Sequence, residues 1–187
     1  MRLVRFAQLT VVAASLIGSA AFAPRANAVA APASMAELDA VARAEGNRRA
    51  EAIKIGRVLF ATIWPVQIMH VRVDGVGRHA VAGLALSAVK FHQAVDRASF
   101  LNEIEVLVGR TFAASGVEEV DVWATIPIPY DARKPVSGDF AEPTSRTVFA
   151  LTCRRSEFAA LTARLRADRD VYWAEDFRAR LRGRLNP

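Results

Sequence analysis

The stretch Val117-Glu118-Glu119-Val120-Asp121-Val122-Trp123-Ala124-Thr125-Ile126-Pro127-Ile128 decides the fold class. Val120, Val122, Ala124, Ile126 and Ile128 fall on one side of a two-residue period, and Asp121, Trp123 and Thr125 on the other, which predicts a strand with one buried face. Pro127 and Pro129 cannot donate to a ladder, so they mark a strand end or an edge. A strand that is half polar belongs to a sheet with one face packed and one face in water.

The chain on either side fits such a sheet. Upstream, Asp96 precedes a run in which Phe100, Ile104, Leu107, Val108 and Phe112 recur at helical spacing, with Asp96 or the neighbours of Arg97 as the cap and Gly116 as the stop. Before that, Val66 to Val73 and Ala80 to Phe91 read as strands joined by the turn Asp74-Gly75-Val76-Gly77, a hairpin. A hairpin turning there places His70 near positions 81 and 82. Earlier still, Ser34-Met35-Ala36-Glu37 has the form of a capping box. It opens a helix to about Ala61, bent or broken at Gly46-Asn47 and stopped by Pro65. Downstream, Tyr130 to Arg146 is a long polar connection, and Thr147 to Arg154 is a fourth strand. Ser156 is expected to cap a helix with Phe158, Leu161 and Leu165 inward. Asp170 is expected to cap a last helix with Trp173, Phe177 and Leu181 in line. The order α-β-β-α-β-β-α-α predicts an α+β fold. Its sheet is roughly four-stranded and mostly antiparallel, two hairpins linked by a helix, with helices packed on one face.

Residues 1–28 carry a different grammar. Arg2 and Arg5 give a basic start, an apolar run follows from Ala7 to Ala23, and Ala26-Asn27-Ala28 supplies small residues for cleavage. The apolar run is about 17 residues, short of the roughly 20 that span a bilayer. The expected organisation is a signal peptide over 1–28 cut after Ala28, a flexible leader over 29–34, and one α+β domain over 35–187, without a transmembrane segment after cleavage. The product is expected in the periplasm or outside the cell.

Cleavage would remove three arginines and no acids, leaving 22 basic against 19 acidic residues, a net +3 in place of +6. That balance does not imply nucleic acid. Arginine outnumbers lysine 22 to 3, which fits a GC-rich bacterial genome. Cys153 is the single cysteine, so no internal disulfide can form. Its apolar neighbourhood, Val148 to Thr152, predicts a buried thiol.

Motifs for chemistry are sparse. His70, His79 and His92 lack metal-ligand spacing, and His92 near Asp96 is the best titrating candidate. The carboxylate groups Glu103/Glu105, Glu118/Glu119/Asp121 and Glu175/Asp176 read as solvated charge. No nucleophile elbow is present, and Asp74-Gly75-Val76-Gly77 lacks the helix start that a phosphate loop needs. No catalytic residue, cofactor or metal is therefore assigned. The binding candidates are Trp123, on the polar side of its strand, Tyr130 in the long connection, and Arg178, Arg180, Arg182 and Arg184. These arginines alternate with apolar residues near the end of the chain, as in a helix that meets an anionic surface or an acidic partner.

The sequence favours an exported bacterial envelope protein acting as a non-enzymatic binding or assembly module. Its expected partner is another envelope protein or an anionic surface. The alternative is a small envelope enzyme whose site lies in the 130–146 connection, with Tyr130, Asp131, Arg133, Lys134, Asp139, Glu142 and Arg146.

Overall fold

The computed structural model describes residues 34–61, 67–76, 79–89, 96–128 and 145–182. The expected signal peptide, nearly all of the leader, His92 and residues 130–144 of the long connection lie outside the described residues. The chain runs α1 (Met35–Ala42), β1 (Ala44–Glu45), α2 (Arg49–Phe60), β2 (Ile68–Val76), β3 (His79–Ser87) and α3 (Arg97–Ala114). It continues with β4 (Glu119–Pro127), β5 (Ser145–Arg154), a 3-10 segment (Arg155–Ala160), α4 (Leu161–Arg166), β6 (Val171–Trp173) and α5 (Glu175–Arg182).

The six strands form one mixed sheet in the order β1-β2-β3-β4-β5-β6. Both expected hairpins are present, β2 with β3 and β4 with β5. The expectation of four mostly antiparallel strands needs correction in two respects. Two short edge strands extend the sheet: β1 pairs parallel with β2, and β6 pairs antiparallel with β5. The two central strands, β3 and β4, are also parallel. The cause of that pairing is α3. At about 1.5 Å per residue its 18 residues span roughly 27 Å, close to the length of a nine-residue strand at about 3.3 Å per residue, so the chain returns to the end where β3 began. Each parallel pair brackets a helix, α2 or α3, as a crossover requires.

Two helix starts follow the sequence. Ser34 Oγ accepts from the Glu37 amide at 3.2 Å, and Asp96 Oδ1 accepts from the Ser99 amide at 2.8 Å. Glu37 also pairs with Arg57 of α2 at 3.0 Å. The first helix ends at Ala42, and after β1 the chain turns at Gly46, whose φ of +91° and packing on Val73 exclude a side chain: a Cβ there would stand 2.2 Å from the Val73 carbonyl oxygen. Asn47 then ties the break to the first hairpin, its amide donating to Asp74 Oδ1 at 2.9 Å while its side-chain oxygen accepts from the Gly75 amide at 3.0 Å.

The hydrophobic core lies between one face of the sheet and the helices. Val71, Val73, Ala82, Leu84, Leu86, Val120, Val122, Phe149 and Leu151 meet Ile55 and Leu59 of α2, Phe100, Ile104 and Val108 of α3, and Leu161, Leu165, Phe177 and Leu181 of α4 and α5. Phe100 is an aromatic centre, edge-on to Phe149 at 5.0 Å and to Phe177 at 5.9 Å. Cys153 is fully buried, and burial pushes its thiol up from the ordinary value.

The C-terminal segment departs from its expected helix. Asp170 does not cap a helix; with φ of 54° it sits in a turn that leads into β6, and Asp168 in the same turn has φ of 51°. Aspartate tolerates this left-handed region better than most side chains. Trp173 therefore projects from a strand, packed on Phe149 at 4.7 Å, and α5 starts only at Glu175. Ser156 likewise lies inside the 3-10 segment, with Leu161 beginning α4. Among the described residues, no helix is long and apolar enough to cross a membrane.

Candidate open-face binding site

The sheet face opposite the helices carries a continuous row of side chains. Register places His70 of β2 opposite Ala85 of β3, Ala85 opposite Trp123 of β4, Trp123 opposite Ala150 of β5, and Ala150 opposite Tyr172 of β6. Paired residues share a face, so large and small side chains alternate across five strands. His70 is thus not opposite 81 or 82 as expected. The β2 and β3 strands stay paired as far as Val76 and His79, beyond the expected start of the turn at Asp74, which moves every partner of β2 toward the far end of β3.

Trp123 is the fixed point of this face. Its six-membered ring covers Gly83, where a Cβ would stand 2.7 Å from Cη2. The His70 ring meets the indole edge-on, with centroids 6.0 Å apart. Between them Ala85 is only 2% exposed, although it lies on the face opposite the helices. Tyr172 stands two strands away, roughly 10 Å at the spacing of neighbouring strands, and is 54% exposed.

A groove of about 760 Å³, lined by both apolar and charged side chains, opens beside the two aromatic rings. Thr152 Oγ1 donates to Asp121 Oδ1 at 2.6 Å across β4 and β5. In the next row Arg154 Nε meets Glu119 Oε2 at 3.4 Å. Arg164 of α4 closes one side with its side chain only 14% exposed. Its Nη1 donates to Glu157 at 3.2 Å and its Nη2 to the Thr152 carbonyl at 3.1 Å, and its Nε lies 3.8 Å from Asp170. Four carboxylates, Glu119, Asp121, Glu157 and Asp170, thus line the groove with two guanidiniums, Arg154 and Arg164.

The other sequence candidates are not part of this site. Arg178 donates to Asp168, which also takes Arg97 and the Trp173 indole N–H, the last at 3.1 Å. Burial pushes the Asp168 carboxyl up, but its hydrogen bond to Arg97 and the charges of Arg97 and Arg178 outweigh that, holding it below the usual carboxylate range. Arg180 pairs with Asp176 at 3.7 Å. These arginines belong to a helix that packs on the inner face through Phe177, away from Trp123. The Arg182 side chain, Arg184 and Tyr130 lie outside the described residues. So does most of the 130–146 set of the enzyme alternative; Arg146 is described, and it forms a two-pronged pair with Asp176 of α5. His79 is exposed and meets Glu118 at 2.7 Å.

A second hollow of about 400 Å³ lies between α3 and α4, where Thr162 donates to Glu105 at 2.6 Å. Its neighbour Glu103 was expected to be solvated. Instead, its Oε2 is buried without a hydrogen-bond partner, and burial pushes its carboxyl up to about 7.

Of the groove, the sequence offered Trp123 as a binding candidate and read Glu119 and Asp121 as solvated charge. Asp121 and Thr152 were visible as outward positions of two recognisable strands, but pairing them requires the register. Tyr172 was missed because three strand residues resemble one turn of helix. Comparison of the chain with protein-family models, curated proteins and solved structures found no match.

Proposed function

We propose that this chain is an exported, non-enzymatic binding module whose working surface is the open face of the sheet. The observation that carries this reading is the row His70, Ala85, Trp123, Ala150 and Tyr172, with a Trp side chain seated on a glycine and a groove beside it. Large aromatic side chains on a solvated sheet face are costly to leave without a partner. Fixing an aromatic before binding lowers the entropy lost when a ligand arrives. The export half of the proposal rests on the leader grammar of residues 1–28 and places the partner in the cell envelope.

Site-directed photo-crosslinking tests the surface. A photoreactive residue at Thr152, in the groove, is expected to capture an envelope component, whereas one at the exposed Lys54 of α2 is not. Equal capture at both positions, or at neither, would refute the open face as the working surface.

A further inference from the structure

We infer that the open-face groove takes a cationic ligand, an extended segment of a partner polypeptide that presents lysine or arginine side chains to Trp123 and Asp121. This inference rests on the open-face reading above and adds the chemistry of the ligand.

Charge complementarity gives the class. The groove has four carboxylates against two guanidiniums, on a chain whose total charge is +6. Both guanidiniums are engaged, Arg154 with Glu119 and Arg164 with Glu157 and the Thr152 carbonyl. An incoming anion would have to break these pairs and would meet Asp121 and Asp170. An incoming cation meets an excess of carboxylate. Asp121 accepts from a neutral hydroxyl, that of Thr152, so its negative charge meets no cation in that contact.

The aromatic groups point the same way. An indole is the best of the aromatic faces for a cation within about 6 Å of its centre. Trp123 is seated on Gly83 and flanked by His70, so its position is set before a ligand arrives. Asp121 lies two residues before Trp123 on the same face of β4, about 7 Å along the strand. A side chain with a carbon stem and a charged end matches that spacing: the stem lies on the indole and the charge reaches the carboxylate. Ala150 leaves a flat floor between Trp123 and Tyr172, wide enough for an extended backbone.

The test uses the purified full chain and three probes: the labelled peptide acetyl-Ala-Lys-Ala-Lys-Ala-amide, the same peptide with glutamate in place of lysine, and neutral cellohexaose. Binding is followed by fluorescence anisotropy for the peptides and calorimetry for the sugar. The lysine peptide is expected to bind, to weaken as salt is raised, and to exceed the glutamate peptide. Asp121→Asn keeps an oxygen for the Thr152 hydroxyl and removes only the charge; it is expected to weaken lysine-peptide binding about fivefold or more. Trp123→Leu should weaken it to a similar degree. Should Trp123→Leu fail to fold, the Asp121→Asn comparison decides alone. No binding of the lysine peptide, or binding unchanged in Asp121→Asn, overturns the inference. Preference for cellohexaose, lost in Trp123→Leu, overturns the cationic class yet leaves the open face as the working surface. Only failure of the crosslinking experiment removes that surface itself.

Discussion

Trp123 lies across Gly83, with indole Cη2 and Cζ3 at 2.7 and 2.9 Å from the place a Cβ on residue 83 would occupy. The groups in conflict are the far end of one side chain, so the indole rather than the sheet should yield. Gly83→Ala is therefore expected to leave the fold intact at a cost of about 1–3 kcal/mol, as for other overpacked sites. Trp123 should swing toward water, seen as a red shift in tryptophan emission and faster quenching by acrylamide. Unchanged emission would mean that the ring is not seated on the glycine.

Glu103 gives stability a pH dependence. Burial raises its carboxyl from 4.5 to about 7, and Oε2 has no hydrogen-bond partner. Between these two values the folded protein binds more protons than the unfolded chain. Its contribution to stability is full below about 4.5 and is lost as pH rises through about 7. The carboxyl is partly exposed, which weakens the effect. Glu103→Gln stays neutral throughout. Its melting temperature should exceed that of the wild type at pH 8 and converge on it at pH 4.5, and a difference that does not vary with pH would contradict the assignment.

What could be read from the sequence was whatever depends on local pattern. The alternation of Val120, Val122 and Ala124 and the caps Ser34 and Asp96 each act through neighbouring residues, and each is present. The burial of Cys153 followed from its apolar strand in the same way. What could not be read depends on contacts far apart in the chain. The parallel pairing of β3 and β4 is set by the length of α3. The strand at Val171–Trp173 exists because β5 offers an edge and Phe149 offers a surface to Trp173. The groove joins Asp121 to Thr152, 31 residues apart, and Trp123 to His70, so a motif search along the chain had nothing contiguous to find.

Arg155 closes the end of α3. Its guanidinium donates to the carbonyls of Phe112, Ser115 and Val117 at 2.8–3.1 Å and lies over the Phe112 ring at 4.7 Å. The last carbonyls of a helix have no partner within it, and here a side chain from after β5 supplies one. Arg155→Ala is expected to cost about 1.5–3 kcal/mol, the range for hydrogen bonds to a charged group. At roughly 2–4 °C per kcal/mol for a domain of this size, that is a visible fall in melting temperature. Arg155→Lys should recover only part of it, because an ammonium cannot reproduce the planar fork.

Export would leave a chemical mark. Intact-mass analysis of the protein recovered from outside the cytoplasm is expected to give an N-terminus at Val29. Recovery of Met1 in a membrane fraction would show that residues 1–28 remain as an anchor.

The arginine-rich end poses a choice between a surface arm and a docked helix. Phe177 is 1% exposed and Leu181 3%, and Asp168 holds Arg178 against the body of the fold. Burial of each large apolar side chain is worth about 1.5–3 kcal/mol, so losing both removes about 3–6 kcal/mol. That is a large part of the stability of an ordinary domain. Truncation after Asp176 should therefore lower the melting temperature sharply, and Phe177→Ala alone should cost about 3–5 kcal/mol. Because α5 packs by its apolar side and its Arg178 is engaged, co-sedimentation of the intact protein with anionic liposomes is expected to be weak. Substituting Arg180 and Arg184 by glutamine should leave it unchanged. Strong salt-sensitive co-sedimentation, lost with those two substitutions while the melt stays put, would instead assign the segment to a membrane surface.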